Sequence, residues 1–437
     1  MFPNPQDALP LPPRPNLGQY KKLAKDLVKA CKSAEPNAIH EWSARWIETL
    51  AKLSEITITP DLPVAIDRWI DQVADFARKK LTATGNAKCS LADAQFVIAR
   101  SHGFESWPKF AHHIEGLARA SSPISNFETA ADAIVSGDVA TLDHLLRADP
   151  ELIRARSARE HRATLLHYIS ANGVEGYRQK TPTNAVQVAE ILLNAGAEID
   201  AEADVYGGGA TTLALVATSV HPERAGVQED LLALLLQRGA KIHHDERIVS
   251  ACLANGRRRA AEFLAACGAH LDLEAAAGVG RLEAVRAFFS NDATLQSTAT
   301  KAQMERGFLW ACEYGRNDVV EFLPRKGVDL QTQANTGQTA LHWAVIGGQL
   351  GTIKLLIARG ASLEEKNSYG GTALGQALWS AVNGSPEIDH LRIIETLIAA
   401  GAKVEADSLT WLARQKIGSS HLKQLIAELL KKHIAQR

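Results

Sequence analysis

Six times along the chain, a glycine is followed by an alanine or valine and, two positions after that, by an aliphatic residue. The glycines of this pattern are Gly196, Gly239, Gly268, Gly327, Gly360 and Gly401. A glycine that ends a helix commonly takes a left-handed conformation that other residues avoid. The return of such a helix end at related spacings indicates a linear array of short helical units rather than one large globular core.

The clearest unit is the segment 336–365, which predicts a pair of short helices. Thr339 stands where its hydroxyl can cap the first of them, over residues 340–346. Gly347-Gly348 breaks that helix, and a second apolar helix runs on until Gly360. A small unit of this kind buries its apolar face only by stacking on its neighbours.

The run T-A-L-H-W-A in this unit resembles the T-P-L-H-x-A pattern of ankyrin repeats, with Ala340 where the family prefers proline. The resemblance implies an all-α fold: an ankyrin-repeat solenoid of about eight helical pairs with short β-hairpin fingers, preceded by a small helical domain. In this family the motif histidine, here His167 and His342, bonds the neighbouring turn and is structural. The family's usual activity is non-catalytic binding of a partner protein through a concave groove.

Ahead of the array, the segment 90–110 resembles a helical module often found before ankyrin repeats in bacterial proteins, through Gly103, Phe104 and Trp107. The resemblance implies a bacterial source. The proline-rich N-terminus predicts an extended, disordered lead-in. The predicted domains are the lead-in at 1–17, a helical domain at 18–120, the repeat array with inserted loops at 127–418 and a C-terminal capping helix at 419–437.

Charge and cysteine content narrow the classes of function. Lys and Arg total 48 against 49 Asp and Glu, and the net charge is −1, which predicts binding to neither nucleic acid nor membranes. The 5 cysteines are widely spaced without a C-x-x-C pair, which is typical of reduced thiols in a cytoplasmic protein. Metal-ligand spacings are missing from the sequence, so we expect no metal and no cofactor.

Three repeats are longer than the unit at 336–365. Their extra residues fall between the paired helices, at 172–184, 218–228 and 380–389. Insertions at one place in a repeat project from one side of the array, and the first two belong to neighbouring repeats, so we expect their loops to touch. Between them lies a glycine-rich finger, in which Tyr206 precedes three glycines.

The first two inserted loops carry side chains suited to a ligand. Glu175 or His221 are candidate catalytic bases, Tyr177 is a candidate hydrogen-bond donor and Arg178 a candidate anion clamp. A surface-loop residue of this kind is more often simply solvated. The ligand-binding candidates in these loops and the finger are Asn172, Tyr177, Arg178, Tyr206 and His221.

Alignment of the repeats predicts which side chains face the concave groove. They stand just before the glycine in the middle of each repeat, and in the C-terminal half they include Glu313, Tyr314 and Trp379. Aromatic residues are common anchors in protein interfaces. We therefore expect these residues to contact a partner protein.

Three hypotheses follow from these patterns. The first is a non-enzymatic interaction protein that binds a partner protein in its concave groove. The alternative is a small-molecule-binding protein or enzyme whose pocket is walled by loops 172–184 and 218–228. In the third, the N-terminal helices occupy the groove themselves.

Overall fold

The computed structural model describes residues 4–53, 62–82, 89–290, 294–405, 407–415 and 420–434. The predicted all-α class is confirmed, since the only strands within these ranges are two of two residues each. The chain forms two compact units, Met1–Ile242 and His243–Arg437, and each is described by itself. The domain boundaries drawn from the sequence remain predictions.

The first unit begins with five helices that share one apolar core. They are α1 (Leu17–Lys32), α2 (Ala38–Leu53), α3 (Leu62–Thr82), α4 (Leu91–Ser101) and α5 (Trp107–Leu117). Trp42 and Phe104 are almost wholly buried in this core, and Trp107 packs against it. Gly103 takes the left-handed conformation between α4 and α5, with a φ of 82°. The buried apolar residues of α1 to α4 therefore pack against one another within this cluster.

The predicted disordered lead-in is wrong for the residues that the structure describes. Pro5–Asp7 forms a short 3-10 helix, and Leu9 is completely buried. The Leu9 amide donates to the Ser101 carbonyl at 2.8 Å, and its own carbonyl lies 3.0 Å from His102 Nδ1. Proline stiffens an extended segment, so that docking a single leucine costs little entropy. Residues 1–3 lie outside the described ranges.

Three helical pairs complete the first unit. They are α6 (Pro123–Ser136) with α7 (Val139–Ala148), a 3-10 helix (Leu165–Ser170) with α8 (Ala185–Asn194), and α9 (Thr212–Thr218) with α11 (Gln228–Gln237). A further 3-10 helix, Pro150–Arg154, follows α7. Strands β1 (Glu202–Ala203) and β2 (Ala210–Thr211) form the antiparallel hairpin that carries Tyr206. α5 packs against α6, so the five N-terminal helices continue directly into the repeats.

The second unit stacks six helical pairs. They are α12 (Ile248–Ala254) with α13 (Arg258–Ala266), α14 (Leu273–Gly278) with α15 (Leu282–Arg286), α16 (Lys301–Glu313) with α17 (Asn317–Phe322), α18 (Ala340–Ile346) with α19 (Leu350–Ala358), α20 (Ala373–Asn383) with α21 (His390–Ala399), and α22 (Asp407–Arg414) with α23 (Ser420–Ile434). A 3-10 helix, Leu323–Lys326, prolongs α17. Helices α12, α14, α16, α18 and α20 pack in succession as an inner row.

The threonine and histidine of the repeat motif connect consecutive repeats. The Thr339 amide donates to His342 Nδ1 at 3.3 Å, so Nε2 carries the proton and donates to the Gly371 carbonyl at 3.0 Å. His167 makes the equivalent contact with the Ala210 carbonyl at 3.3 Å. Burial lowers the pKa of both imidazoles, which keeps them neutral for this role. Their predicted structural function agrees with this geometry.

The inserted residues lie between paired helices and adopt three different structures. Residues 172–184 contain a 3-10 helix at Gly176–Arg178, and residues 218–228 form the short helix α10 (Val220–Arg224). In the third insertion, α20 is extended to 11 residues, whereas α18 has 7. Asn172 Nδ2 donates to Thr218 Oγ1 at 3.1 Å, so the first two insertions do touch.

Candidate functional site

An aromatic groove lies on the inner side of the last repeats. It is lined by α18, α20 and α22 and by the segments that precede these helices, and it encloses about 710 Å³. We define the aromatic groove by the residues that line it: Gln338, Ile346, Asn367, Tyr369, Gly371, Gly375, Gln376, Leu378, Trp379, Glu405, Asp407, Ser408 and Trp411. Of the residues predicted from the sequence, Trp379 lies here.

Local sequence places the aromatic side chains of the groove. Trp379 is on α20 and is 51% exposed, although the neighbouring Leu378 is only 3% exposed and belongs to the core. Tyr369 is 79% exposed at the tip of the turn before α20. The Asn367 side chain holds that turn by accepting hydrogen bonds from the amides of Tyr369 and Gly371, each at 3.0 Å. Two large aromatic side chains are thus presented to solvent on a well-ordered frame.

A glycine keeps the groove open along α20. A Cβ atom at Gly375 would have its nearest neighbour at 3.8 Å, the Thr372 hydroxyl, which is ordinary contact. A glycine inside a helix costs about 1 kcal/mol relative to alanine. The packing of this protein does not require glycine at this position, so its effect is to leave space above the helix.

The sequence did not single out several residues of this groove. Tyr369 was missed although Tyr369-Gly370-Gly371 repeats the Tyr-Gly-Gly pattern at Tyr206. Trp411 was missed because α22 precedes the predicted capping helix and falls outside the repeat alignment. In the structure, both line the same groove as Trp379.

The predicted residues Glu313 and Tyr314 end α16, but only one of them is accessible. Tyr314 is 7% exposed, and its hydroxyl donates to the Leu253 carbonyl at 2.6 Å. The prediction that Tyr314 contacts a partner is therefore wrong, because its ring bridges to α12 within the core. Glu313 is half-buried, and burial raises the pKa of its carboxyl to about 7.

The first insertion turns the side chains of Glu175 and Arg178 into the protein. Glu175 is 0% exposed and Arg178 is 4% exposed. Arg178 Nη1 donates to Glu128 Oε2, and its Nε donates to Asp132 Oδ1, each at 2.7 Å. The predicted anion clamp is therefore already occupied by two carboxylates of α6.

A second arginine completes this buried ionic cluster, which we define as Glu128, Arg159, Glu175 and Arg178. Arg159 Nη1 lies 2.7 Å from Glu128 Oε1 and 2.9 Å from Glu175 Oε1. Its Nη2 donates to the Tyr177 hydroxyl at 3.1 Å. Arginine suits such a site because its planar guanidinium group can donate hydrogen bonds to several oxygen atoms at once.

The ionic cluster sets the protonation of its members. Burial alone would raise the pKa of Glu128, but Arg159 and Arg178 hold it down to about 2. The pKa of Glu175 is well below its usual range, since Arg159 and then His161 outweigh its burial. A carboxylate with so low a pKa is a poor base, and Glu175 is closed off from solvent. The structure therefore contradicts the role of catalytic base predicted for Glu175.

The remaining loop candidates are Asn172, Tyr177, Tyr206 and His221. The Tyr206 hydroxyl donates to Asn172 Oδ1 at 2.6 Å, which ties the finger to the first insertion. His221 lies on α10, where partial burial and then Arg224 lower the pKa of its imidazole. Burial also raises the pKa of Tyr177. Of the predicted loop residues, the structure thus brings Glu175 and Arg178 together in the ionic cluster, with Tyr177 bonded to its Arg159, and separately pairs Tyr206 with Asn172.

The described ranges contain neither a metal-binding cluster nor a membrane-spanning helix. Nowhere in them do three or more His, Cys, Asp or Glu side chains gather in a way that could hold a metal ion. Among the helices of these same ranges, none combines the length and apolar character needed to cross a membrane.

Comparison with protein families agrees with the repeat architecture of residues 308–408. The family model described as ankyrin repeats (3 copies) matches residues 308–408, which span α18, α20 and much of the aromatic groove. A solved structure that is similar to this chain is the human ASB11 ankyrin repeat domain, with 20% sequence identity and a TM-score of 0.32. The alignment covers 64% of this chain and 98% of that chain. The family match, together with the threonine–histidine contacts between repeats, identifies residues 308–408 as ankyrin repeats.

Proposed function

We propose that this protein binds a partner protein in the aromatic groove. Ankyrin repeats constitute a protein–protein interaction module, and most of the groove lies within the residues that match the family model. The observation that carries the proposal is the exposure of two aromatic side chains, Trp379 at 51% and Tyr369 at 79%, beside a groove of about 710 Å³.

Exposed aromatic residues on a rigid frame favour binding. A partly buried tryptophan offers a large contact area and loses little conformational entropy when a partner covers it. Trp379 is fixed by its helix, and the turn of Tyr369 is held by Asn367. Interfaces commonly depend on a few such anchors near their centre.

The alternative, a small-molecule site or enzyme pocket between loops 172–184 and 218–228, has less support. Its proposed base Glu175 and its proposed anion clamp Arg178 are both engaged in buried ion pairs. No observation favours a reaction over binding, so we propose no enzymatic activity.

A glycine substitution tests the proposal without removing an aromatic residue. Gly375→Leu fills the groove, and a helix-favouring residue at this position leaves the fold at least as stable. Gly351→Leu is the matched control, because Gly351 is exposed on α19, and a Cβ atom there meets its nearest neighbour at 3.5 Å.

The experiment captures proteins from a lysate on the full chain and on both variants, followed by calorimetry with the purified candidate partner. We expect Gly375→Leu and Trp379→Ala each to weaken binding at least tenfold, which corresponds to about 1.4 kcal/mol. Gly351→Leu should bind like the unaltered chain. A partner that binds all three variants equally contradicts the proposed site.

A further inference from the structure

The aromatic groove has an unequal distribution of charge. Two carboxylates line it, those of Glu405 and Asp407. Among its described lining residues there is no Lys, Arg or His, and the other polar side chains are neutral amides and Ser408. The chain as a whole is almost neutral, with a net charge of −1, so the negative character belongs to this groove in particular.

The carboxylates lie beside aromatic rings that also attract cations. An indole or phenol ring carries negative potential on its face and binds a guanidinium or ammonium group, most strongly when water is excluded. Trp379, Tyr369 and Trp411 line the same groove as the two acids. The carboxylates and the aromatic rings therefore both favour a positively charged ligand.

The ion pair at the rim is weak enough to be exchanged. Glu405 accepts from Lys366 Nζ at 3.3 Å, and these side chains are 61% and 57% exposed. A pair so open to solvent contributes little to stability. An incoming cation can therefore take the place of Lys366 without disrupting the fold.

We propose that the partner inserts a cationic side chain, arginine or lysine, into the aromatic groove between the rings and the carboxylates of Glu405 and Asp407. This inference rests on the proposed function and names the chemistry of the partner. Arginine is the best fit, because its planar guanidinium stacks on an aromatic face while its N–H groups donate to carboxylates. An acidic segment is disfavoured, since it would place like charges together in a partly desolvated site.

The test uses a random displayed peptide library selected on the full chain. Peptides that also bind Gly375→Leu are discarded, so that those retained depend on the groove. The proposal expects Arg or Lys to be enriched at one position. A synthetic peptide with that residue should bind about tenfold more tightly than the same peptide with neutral citrulline or glutamine there, and added salt should reduce the difference.

Substitutions in the protein are expected to change its affinity for the synthetic peptide in opposite directions. Asp407→Asn should weaken the synthetic peptide several-fold, whereas Lys366→Gln should strengthen it by releasing Glu405. Asp318→Asn is the matched control, because Asp318 likewise lies exposed in the first turn of a helix, α17, and outside the groove. Structural damage to the groove would not explain why Lys366→Gln raises peptide affinity while Asp407→Asn lowers it.

The failures of the two proposals are distinguishable. Groove-dependent peptides that lack a cationic residue, or that bind equally well with citrulline, overturn this inference and leave the proposed function standing. If no peptide distinguishes the unaltered chain from Gly375→Leu, both are overturned.

Discussion

Arg178 and Glu128 are 50 positions apart in the sequence, and Arg178 Nη1 donates to Glu128 Oε2 at 2.7 Å inside the first unit. Glu128 is on α6 of the first helical pair, and Arg178 comes from the insertion in the next one. The insertion thus connects two consecutive repeats through a buried ion pair. Two paired charges in the interior are tolerated, but either one alone is costly.

Arg178→Ala is expected to destabilise the first unit severely. The change leaves Glu128 with one arginine instead of two and Asp132 without its partner at 2.7 Å. Removing one member of a buried pair typically costs about 3–5 kcal/mol. Urea denaturation followed by circular dichroism measures the loss.

Arg147→Ala is the control for that experiment. The Arg147 side chain is 80% exposed and pairs with Asp143 one turn away on α7. Exposed pairs contribute about 0–1 kcal/mol, so this variant should unfold almost like the unaltered protein. If Arg147→Ala and Arg178→Ala lower the free energy of unfolding equally, the ionic cluster has no structural role.

Gly176→Ala should release the N-terminal segment. A Cβ atom at Gly176 would come within 2.4 Å of the Gln6 carbonyl oxygen, and the backbone at Gln6 cannot yield without moving the segment. Hydrogen exchange measured by mass spectrometry should show faster exchange at Leu9, whose amide is bonded to Ser101. Gly351→Ala, where a Cβ atom makes only ordinary contact, should leave that exchange unchanged. Unaltered exchange in Gly176→Ala would mean that the segment does not pack there.

The sequence predicts the repeat architecture well because its signals are local. The Thr339 cap, the glycine-ended helices and the positions of the insertions depend on residues close together in the chain. Trp379 was also placed in the groove by its position within one repeat. Such features need no knowledge of how distant segments meet.

The ionic cluster could not be predicted in the same way. A loop with Glu175, Tyr177 and Arg178 has the composition of an exposed loop, and its burial depends on countercharges supplied by Glu128 and Arg159 elsewhere. A single sequence does not reveal which distant charges pair. The burial of these candidate site residues therefore depends on tertiary ion pairs and not on the composition of the loop.

Glu313→Gln is expected to stabilise the second unit at high pH. Burial raises the pKa of Glu313 from 4.5 to about 7, so the unfolded chain ionises first. Stability is therefore lost as pH rises from 4.5 through 7, and the cost persists above pH 7. At about 1.4 kcal/mol per pKa unit, the upper limit is about 3 kcal/mol.

Chemical denaturation at pH 4 and pH 8 measures this effect. Glutamine should raise stability relative to the unaltered chain at pH 8 and have little effect at pH 4. Glu305→Gln, on the same helix and paired with Lys301 at 3.5 Å, provides the control. A Glu313→Gln effect that is independent of pH would contradict the role of ionisation.

The five cysteines should divide by reactivity according to their burial. Burial raises the pKa of Cys252 to about 12 and places that of Cys312 well above its usual range, whereas Cys267 is exposed at the end of α13. Only the thiolate attacks a disulfide reagent, so access favours Cys267, whereas burial keeps Cys252 and Cys312 protonated. A chromogenic disulfide at pH 8 should show a fast phase that Cys267→Ser removes, and urea should expose all 5 thiols. Because Cys252 and Cys312 lie in the inner helices α12 and α16, their labelling under native conditions, detected by mass spectrometry, would contradict the stacked inner row.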